Sequence, residues 1–233
     1  MLYQYWFMQF EFPNENGRPY LSSNGDMRYN SRLKKNIPVG WKVQSIANND
    51  LSVIIKPGVD QFTSKTYYAT SELNGINIGN GTTIDFETRE SRANMQPTEY
   101  SVWFAKMKNS VKHLFLNHEL KSIIDSSILS TGFSGLQCNE QTFEYISSVV
   151  SSMYFEAIKD TLAHGATQEA INNDDLANIY FVIPDHVVLD KYHKVAQKLY
   201  SQISNNIIEN KELTKLKDCL LPMLMNGQVI IED

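Results

Sequence analysis

Long polar side chains gather in one hairpin-rich stretch of the chain: Lys65, Tyr67, Asn74, Asn77, Asn80, Thr82, Thr83, Arg89, Arg92, Lys106 and Lys108. Arginine and lysine fork onto guanine edges, asparagine onto adenine, and hydroxyls onto phosphate or either base, so the set has the chemistry of DNA groove readout. It is also ordinary loop composition. Patterns for other chemistry are missing: there is no GxxxxGK followed by Ser or Thr, no GxGxxG, HExxH or GxSxG, and no adenine or cytosine methyltransferase motif. Pro184-Asp185 followed by Asp190 and Lys191 comes nearest to a nuclease signature. Its acid and lysine are adjacent where a metal nuclease needs them one residue apart, and Asp185 reads instead as a helix N-terminal acid.

The remaining titratable residues form no constellation. His113 and His118 diverge around a helix, and His186 and His193 share a face two turns apart, too far to chelate one ion. Asp85, Glu87, Glu90 and Glu99 alternate with Arg89 and Arg92 as a solvated face does. Cys138 and Cys219 sit in no CxxC or Cys/His cluster and read as reduced structural thiols. No catalytic residue and no metal site follows.

These side chains need a scaffold, and the sequence describes one in sections. Residues 1–12 crowd Tyr3, Tyr5, Trp6, Phe7, Phe10 and Phe12 together, too aromatic for water and too short for a core, so the segment must dock on something. Phe12 to Met27 is dense in Pro, Gly, Asn and Ser and reads as a connector, after which Ile37 to Trp41 leads into the main domain. From Trp41 to about Phe104, the runs LSVII, KTYYAT, TTIDF and YSVWFAKM between Asn-Gly and Pro signals read as strands and hairpins. Residues 111–125 and 140–163 are helix candidates, and Asn178 to Ile183 a last strand before Pro184.

Past Pro184, about 35 residues lack Gly and Pro. Val188, Tyr192, Val195, Leu199, Ile203, Ile207, Leu213, Leu216 and Leu220 form a helical stripe there, as expected of a long, imperfect coiled-coil partner helix. The alternative is a helix folded back on its own domain. The expected fold is thus α+β: a connector over 1–36, a globular domain with a hairpin-rich sheet and packed helices over 37–184, a long C-terminal coiled-coil-forming helix over 185–221, and a tail over 222–233.

At 233 residues the chain can bury a core without metals or disulfides. No signal peptide or membrane span is legible, which predicts a soluble cytoplasmic protein with no membrane partner. The net charge of −5 counts against a free-standing DNA binder. One lysine faces eight acids between residues 139 and 185, however, so the front half is neutral to mildly basic, as expected if DNA affinity is shared with basic partners. The same acidic block favours a second reading, a protein-binding oligomerisation scaffold without DNA readout. A third, an independent nuclease, needs a metal site that the sequence does not offer.

Several segments resemble the C-terminal half of the specificity subunits of type I restriction-modification systems. LYQYWFMQFEFPNENGRPYLSSNGDM with NIPVGW is similar to the central conserved segment leading into the second target-recognition domain. YYATSELNG with SRANMQP, then STGFSGL, resemble that domain's early core and middle, HGATQEAINNDDLANIYFVIP its closing strand, and LKDCLLPMLMNGQVIIE the end of the distal conserved helix. The resemblance implies a non-catalytic subunit that reads one half of a split target in double-stranded DNA and scaffolds methyltransferase and endonuclease subunits. It implies no cofactor in this chain, with S-adenosylmethionine, ATP and Mg belonging to those partners. Arg92 within SRA and Gln168 within GATQ match family motif positions, as DNA contacts or as loop supports. Full-length members carry two recognition domains and two long helices. A chain with one of each is expected to be a half subunit or a fragment, pairing through its helix with a second half or a copy of itself.

Overall fold

The computed structural model describes residues 1–226. A π-helical turn over Gln4–Met8 precedes the hairpin β1 (Met27–Asn30) and β2 (Lys35–Pro38). Then come β3 (Lys42–Ser45), β4 (Ser52–Ile54), β5 (Lys65–Tyr68), β6 (Leu73–Asn74), β7 (Asn77–Ile78), β8 (Thr82–Ile84) and β9 (Ala93–Met95). β10 (Ser101–Ala105), β11 (His113–Leu116), α1 (Lys121–Ser126), β12 (Ser127–Ser130) and β13 (Phe133–Cys138) follow. The chain closes with α2 (Phe143–Val150), α3 (Met153–Leu162), β14 (Tyr180–Ile183) and α4 (His186–Met225). The architecture is α+β with a long C-terminal helix.

Two four-stranded sheets carry the domain, in the orders β11-β10-β13-β4 and β8-β5-β12-β9. The first is a partition between two cores. Along β10, Val102 and Phe104 point to a core shared with Phe143, Ile146 and Phe155 of the helices, while Trp103 and Ala105 point to a core shared with Tyr68, Met95 and Leu129 of the second sheet. Period-two alternation produces this division, and because both faces are covered, all five residues of β10 are buried.

That double burial is why residues 111–125 differ from their expected helix. His113–Leu116 are four consecutive buried residues of strand β11, and only Lys121–Ser126 are α-helical. A continuous apolar run does not tell a doubly covered strand from a helix. The single helix expected over 140–163 is two helices, broken where the Ser152 hydroxyl caps α3 by accepting from the Phe155 amide at 3.1 Å.

The aromatic segment docks as expected of it. Phe7 is fully buried, with ring centroids 4.6 Å from Tyr145 and 4.9 Å from Tyr192, both edge-on, and 5.9 Å from Trp41. Beside it, β3 and β14 pair antiparallel from Lys42↔Ile183 to Ser45↔Tyr180. Asp185 then starts α4 by accepting from the Val188 amide at 2.9 Å and from Trp41 Nε1 at 3.3 Å.

α4 has 40 residues, roughly 60 Å at 1.5 Å per residue. It runs through Pro222 to Met225, beyond the expected end at 221, and residues 227–233 of the expected tail lie outside the described residues. Its apolar stripe is divided. Val188, Tyr192 and Ile207 are buried in the chain's own cores, with Ile203 packed against them, so these four face the domain and not a second helix. Val195, Leu199, Leu213, Leu216 and Leu220 stay exposed, Leu213 by 55 % and Leu216 by 53 %. The inner side of the helix is thus folded back on its own domain, as the alternative reading has it.

Candidate nucleic-acid interface

Strands β5 and β12 lie side by side and parallel, with Thr66 opposite Ser127 and Tyr68 opposite Leu129. Parallel pairing brings their C-terminal ends to one end of the sheet. β9 begins there, with Ala93 opposite Ser130, and in the other sheet β10 ends there, with Ala105 opposite Phe133. The tight Thr131-Gly132 connection between β12 and β13 joins the two sheets at this end.

Backbone hydrogen bonds tie the neighbours to that turn. The Thr131 amide donates to the Arg92 carbonyl at 2.8 Å, and the Lys106 amide to the Gly132 carbonyl at 3.0 Å. Lys112 Nζ donates to the Thr70 carbonyl at 2.7 Å. Gly132 is a point of close approach: a Cβ there would lie 3.1 Å from Thr70 Cγ2 and 3.5 Å from Arg92 Nη2. Arg92, Lys106 and Lys112 thus surround one turn together with the hydroxyl side chains of Thr70 and Thr131. Among the described residues none of the three cations has a salt bridge to a carboxylate. Burial lowers the Lys106 pKa from its ordinary value, the mark of a partly dehydrated ammonium that an incoming anion would stabilise.

The other residues marked in the sequence are dispersed around this cluster. Lys108 and Gln168 flank it, because the Lys108 amide donates to the Glu169 carbonyl and its Nζ lies 2.6 Å from Glu169 Oε2. Lys65 is at the opposite end of β5, with its ammonium 3.4 Å from Gln96 Oε1. Arg89 is folded over Phe86, its guanidinium 4.0 Å from the ring centroid. Thr82 is exposed on β8 opposite Tyr67, and Asn74 is exposed at the β6–β7 turn. Tyr67 is a correction: at 7 % exposure it is a core side chain between Ala93 and Ile128, with no surface for DNA. Asn77 and Asn80 face α4, where Asn210 Nδ2 donates to Asn77 Oδ1 at 3.2 Å and Asn80 Nδ2 to Asp218 Oδ2 at 3.3 Å.

Lys112, Thr70 and Thr131 were missed by sequence reading. Thr131 lies in the STGFSGL segment and Thr70 in YYATSELNG, but no sequence pattern brings the two segments to one turn. The acidic block also changes meaning. Glu144 is held by His193 at 2.8 Å, Glu156 by His113 at 2.9 Å and Lys159 at 2.6 Å, Asp160 accepts from the Asn109 amide, Asp175 from the Asn172 amide, Glu169 pairs with Lys108, and Asp185 caps α4. Most of these carboxylates have partners within the chain, while Glu140, Glu169, Asp174 and Asp185 stay exposed. Among the described residues no group of three or more His, Cys, Asp or Glu side chains is placed to hold a metal ion, and no helix is long and apolar enough to cross a membrane.

No family model matches the chain. Its sequence is 25% identical over 251 residues to the type I restriction enzyme MjaIX specificity subunit of Methanocaldococcus jannaschii, covering 100% of this chain and 52% of that protein. It is 23% identical over 212 residues to the HindI specificity subunit of Haemophilus influenzae, covering 83% of this chain and 42% of the relative. The chain resembles type I specificity subunits. It spans about half the length of the curated specificity subunits it matches. The fold agrees: the HsdS subunit from Thermoanaerobacter tengcongensis superposes with a TM-score of 0.54 at 17% identity, over 82% of this chain and 49% of that one. A chain from a structure of the type I R-M system, solved to explain complex assembly and conformational transition, superposes with a TM-score of 0.56, also at 17% identity, with the same coverage. The specificity-subunit fold therefore covers most of this chain.

Proposed function

We propose that this chain is a DNA-recognition module of a type I restriction-modification complex and reads one half of a split target at the Gly132 end of its two sheets. The observation that carries this reading is the meeting around one turn of Arg92, Lys106 and Lys112, which form no salt bridge among the described residues, in a chain similar along its length to specificity subunits. Phosphate contacts from these cations orient the module, and neighbouring polar side chains select bases. The exposed side of α4, with Leu213, Leu216 and Leu220, serves pairing with a second half or a copy of the chain. Methyltransferase and endonuclease subunits are its further partners, in the cytoplasm, and S-adenosylmethionine, ATP and Mg belong to them. The chain itself catalyses nothing. A protein-binding scaffold without DNA readout is the second reading, favoured by the exposed acids Glu140, Glu169, Asp174 and Asp185.

The test is DNA binding by the complex assembled with its methyltransferase partner. Arg92→Ala, Lys106→Ala and Lys112→Ala combined should weaken binding and flatten its salt dependence, by about 0.9 in log–log slope for each phosphate no longer neutralised. Lys65→Ala, at the opposite end, should leave both unchanged. Full binding by the combined variant, or no split footprint from the wild-type complex, would end this reading.

A further inference from the structure

Seven residues, Lys106 to Lys112, connect β10 to β11 and carry three lysines. Like charges so close repel, and the segment has little apolar anchorage, since Val111 is 57 % exposed. Polar contacts hold it instead, and the far half is held from α3. Asp160 Oδ1 accepts from the Asn109 amide at 3.0 Å, at a residue whose φ of 56° places it in the left-handed region. Lys159 Nζ donates to the Ser110 carbonyl at 2.9 Å and lies 2.6 Å from Glu156 Oε2. Glu156 Oε1 in turn meets His113 Nε2 at 2.9 Å.

Lys159 has no exposed surface at all. Burying an ion pair recovers in attraction little more than it loses in hydration, and apolar side chains of similar volume fill such a site at least as well. Apolar side chains cannot, however, fix one carbonyl, one amide and one imidazole in register. The group is therefore better suited to geometry than to net stability.

We infer that Glu156, Lys159 and Asp160 of α3, with His113, are positioning residues that hold the Lys106–Lys112 connection so that Lys106 and Lys112 present their charges to DNA phosphates. The inference rests on the Gly132 end being the DNA face. α3 supports that end from inside and touches no DNA.

Salt dependence of binding to a short mixed-sequence DNA duplex, measured on the complex with its methyltransferase partner, separates positioning from plain stability. Asp160→Ala should reduce the log–log slope by about 0.9, the share of one phosphate, and Asp160→Asn, which keeps the acceptor oxygen, should restore it. The apolar replacement His113→Phe/Glu156→Leu/Lys159→Met should melt cooperatively yet bind with a slope smaller by about 1.8, the share of two phosphates, and Lys106→Ala/Lys112→Ala should then remove little more. If that replacement fails to fold, the Asp160 pair decides alone. A wild-type slope in Asp160→Ala, or a folded apolar replacement with full slope, overturns the inference. A wild-type slope insensitive to Lys106→Ala/Lys112→Ala removes instead the DNA-face reading, and the inference with it.

Discussion

The aromatic N-terminal segment is part of the core, and Phe7→Ala measures how much. Phe7 is fully buried and touches rings from three elements: Trp41 before β3, Tyr145 on α2 and Tyr192 on α4. Truncating a buried phenylalanine costs about 3–5 kcal/mol, the higher values arising where the surroundings cannot collapse. Rings held from three separate elements collapse poorly, so we expect about 4 kcal/mol. For a domain of this size each kcal/mol lowers Tm by roughly 2–4 °C, giving a fall of roughly 8–16 °C. Met8, 39 % exposed on the same turn, is the control, and Met8→Ala should change stability by no more than about 0.5 kcal/mol. Thermal unfolding followed by far-ultraviolet circular dichroism gives both numbers. Equal small shifts for the two variants would mean that residues 1–12 are a detachable appendage and share no core with the domain.

Two further perturbations probe the interior. Glu156 is largely buried, and burial alone would raise its pKa, but hydrogen bonds from His113 and Lys159 and their charges lower it below the ordinary 4.5. A depressed carboxyl contributes stability that is complete above the unfolded pKa and is lost as pH falls through the folded one, so acidification below about 4.5 should destabilise wild type more steeply than Glu156→Gln; parallel curves of Tm against pH would refute this. Gly135 lies opposite Trp103, and a Cβ there would sit 2.5 Å from the indole ring, so Gly135→Ala should cost about 1–3 kcal/mol by overpacking. A urea midpoint unchanged in that variant would show that the Trp103 ring does not lie over Gly135 as closely as the structure has it.

Local signals made much of this fold legible, and pairing partners did not. The Asn80-Gly81 turn is where its dipeptide predicts, with Gly81 at φ 66° and no room for a side chain against Thr66 and Tyr68. Pro184-Asp185 marked the start of α4, which needs only the cap and the residues just after it. By contrast, His113–Leu116 looked helical because both of their faces are covered, a property of the sheets around them. The α4 stripe did not divide itself into an inner and an outer side, because Ile207 and Leu213 are equally apolar and only the position of Tyr68, Leu73 and Ile78 separates their fates. The candidate site suffered most. Arg92 and Lys106 were marked in isolation, but their meeting depends on β5 and β12 pairing in parallel across some sixty residues, and nothing in the four residues Ser127–Ser130 announces that register. Charge counting has a related limit: a carboxylate such as Glu156 counts equally whether it faces water or a buried histidine.

The pairing of β3 with β14 has an architectural consequence. It closes residues 42 to 183 into a loop whose two ends leave side by side, one toward the aromatic turn and one into the long helix. The module between them meets its frame at this two-strand neck and along α4, where Tyr192 and Ile207 enter its cores. A homologous module could be exchanged there without lengthening or rotating the helix, provided that it still fits the Tyr3, Phe7 and Tyr192 rings across the seam and the Ile207 side of α4. Under the proposed function, the sequence read and the geometry of the frame would then vary separately, with the seam as the place where a mismatched graft fails.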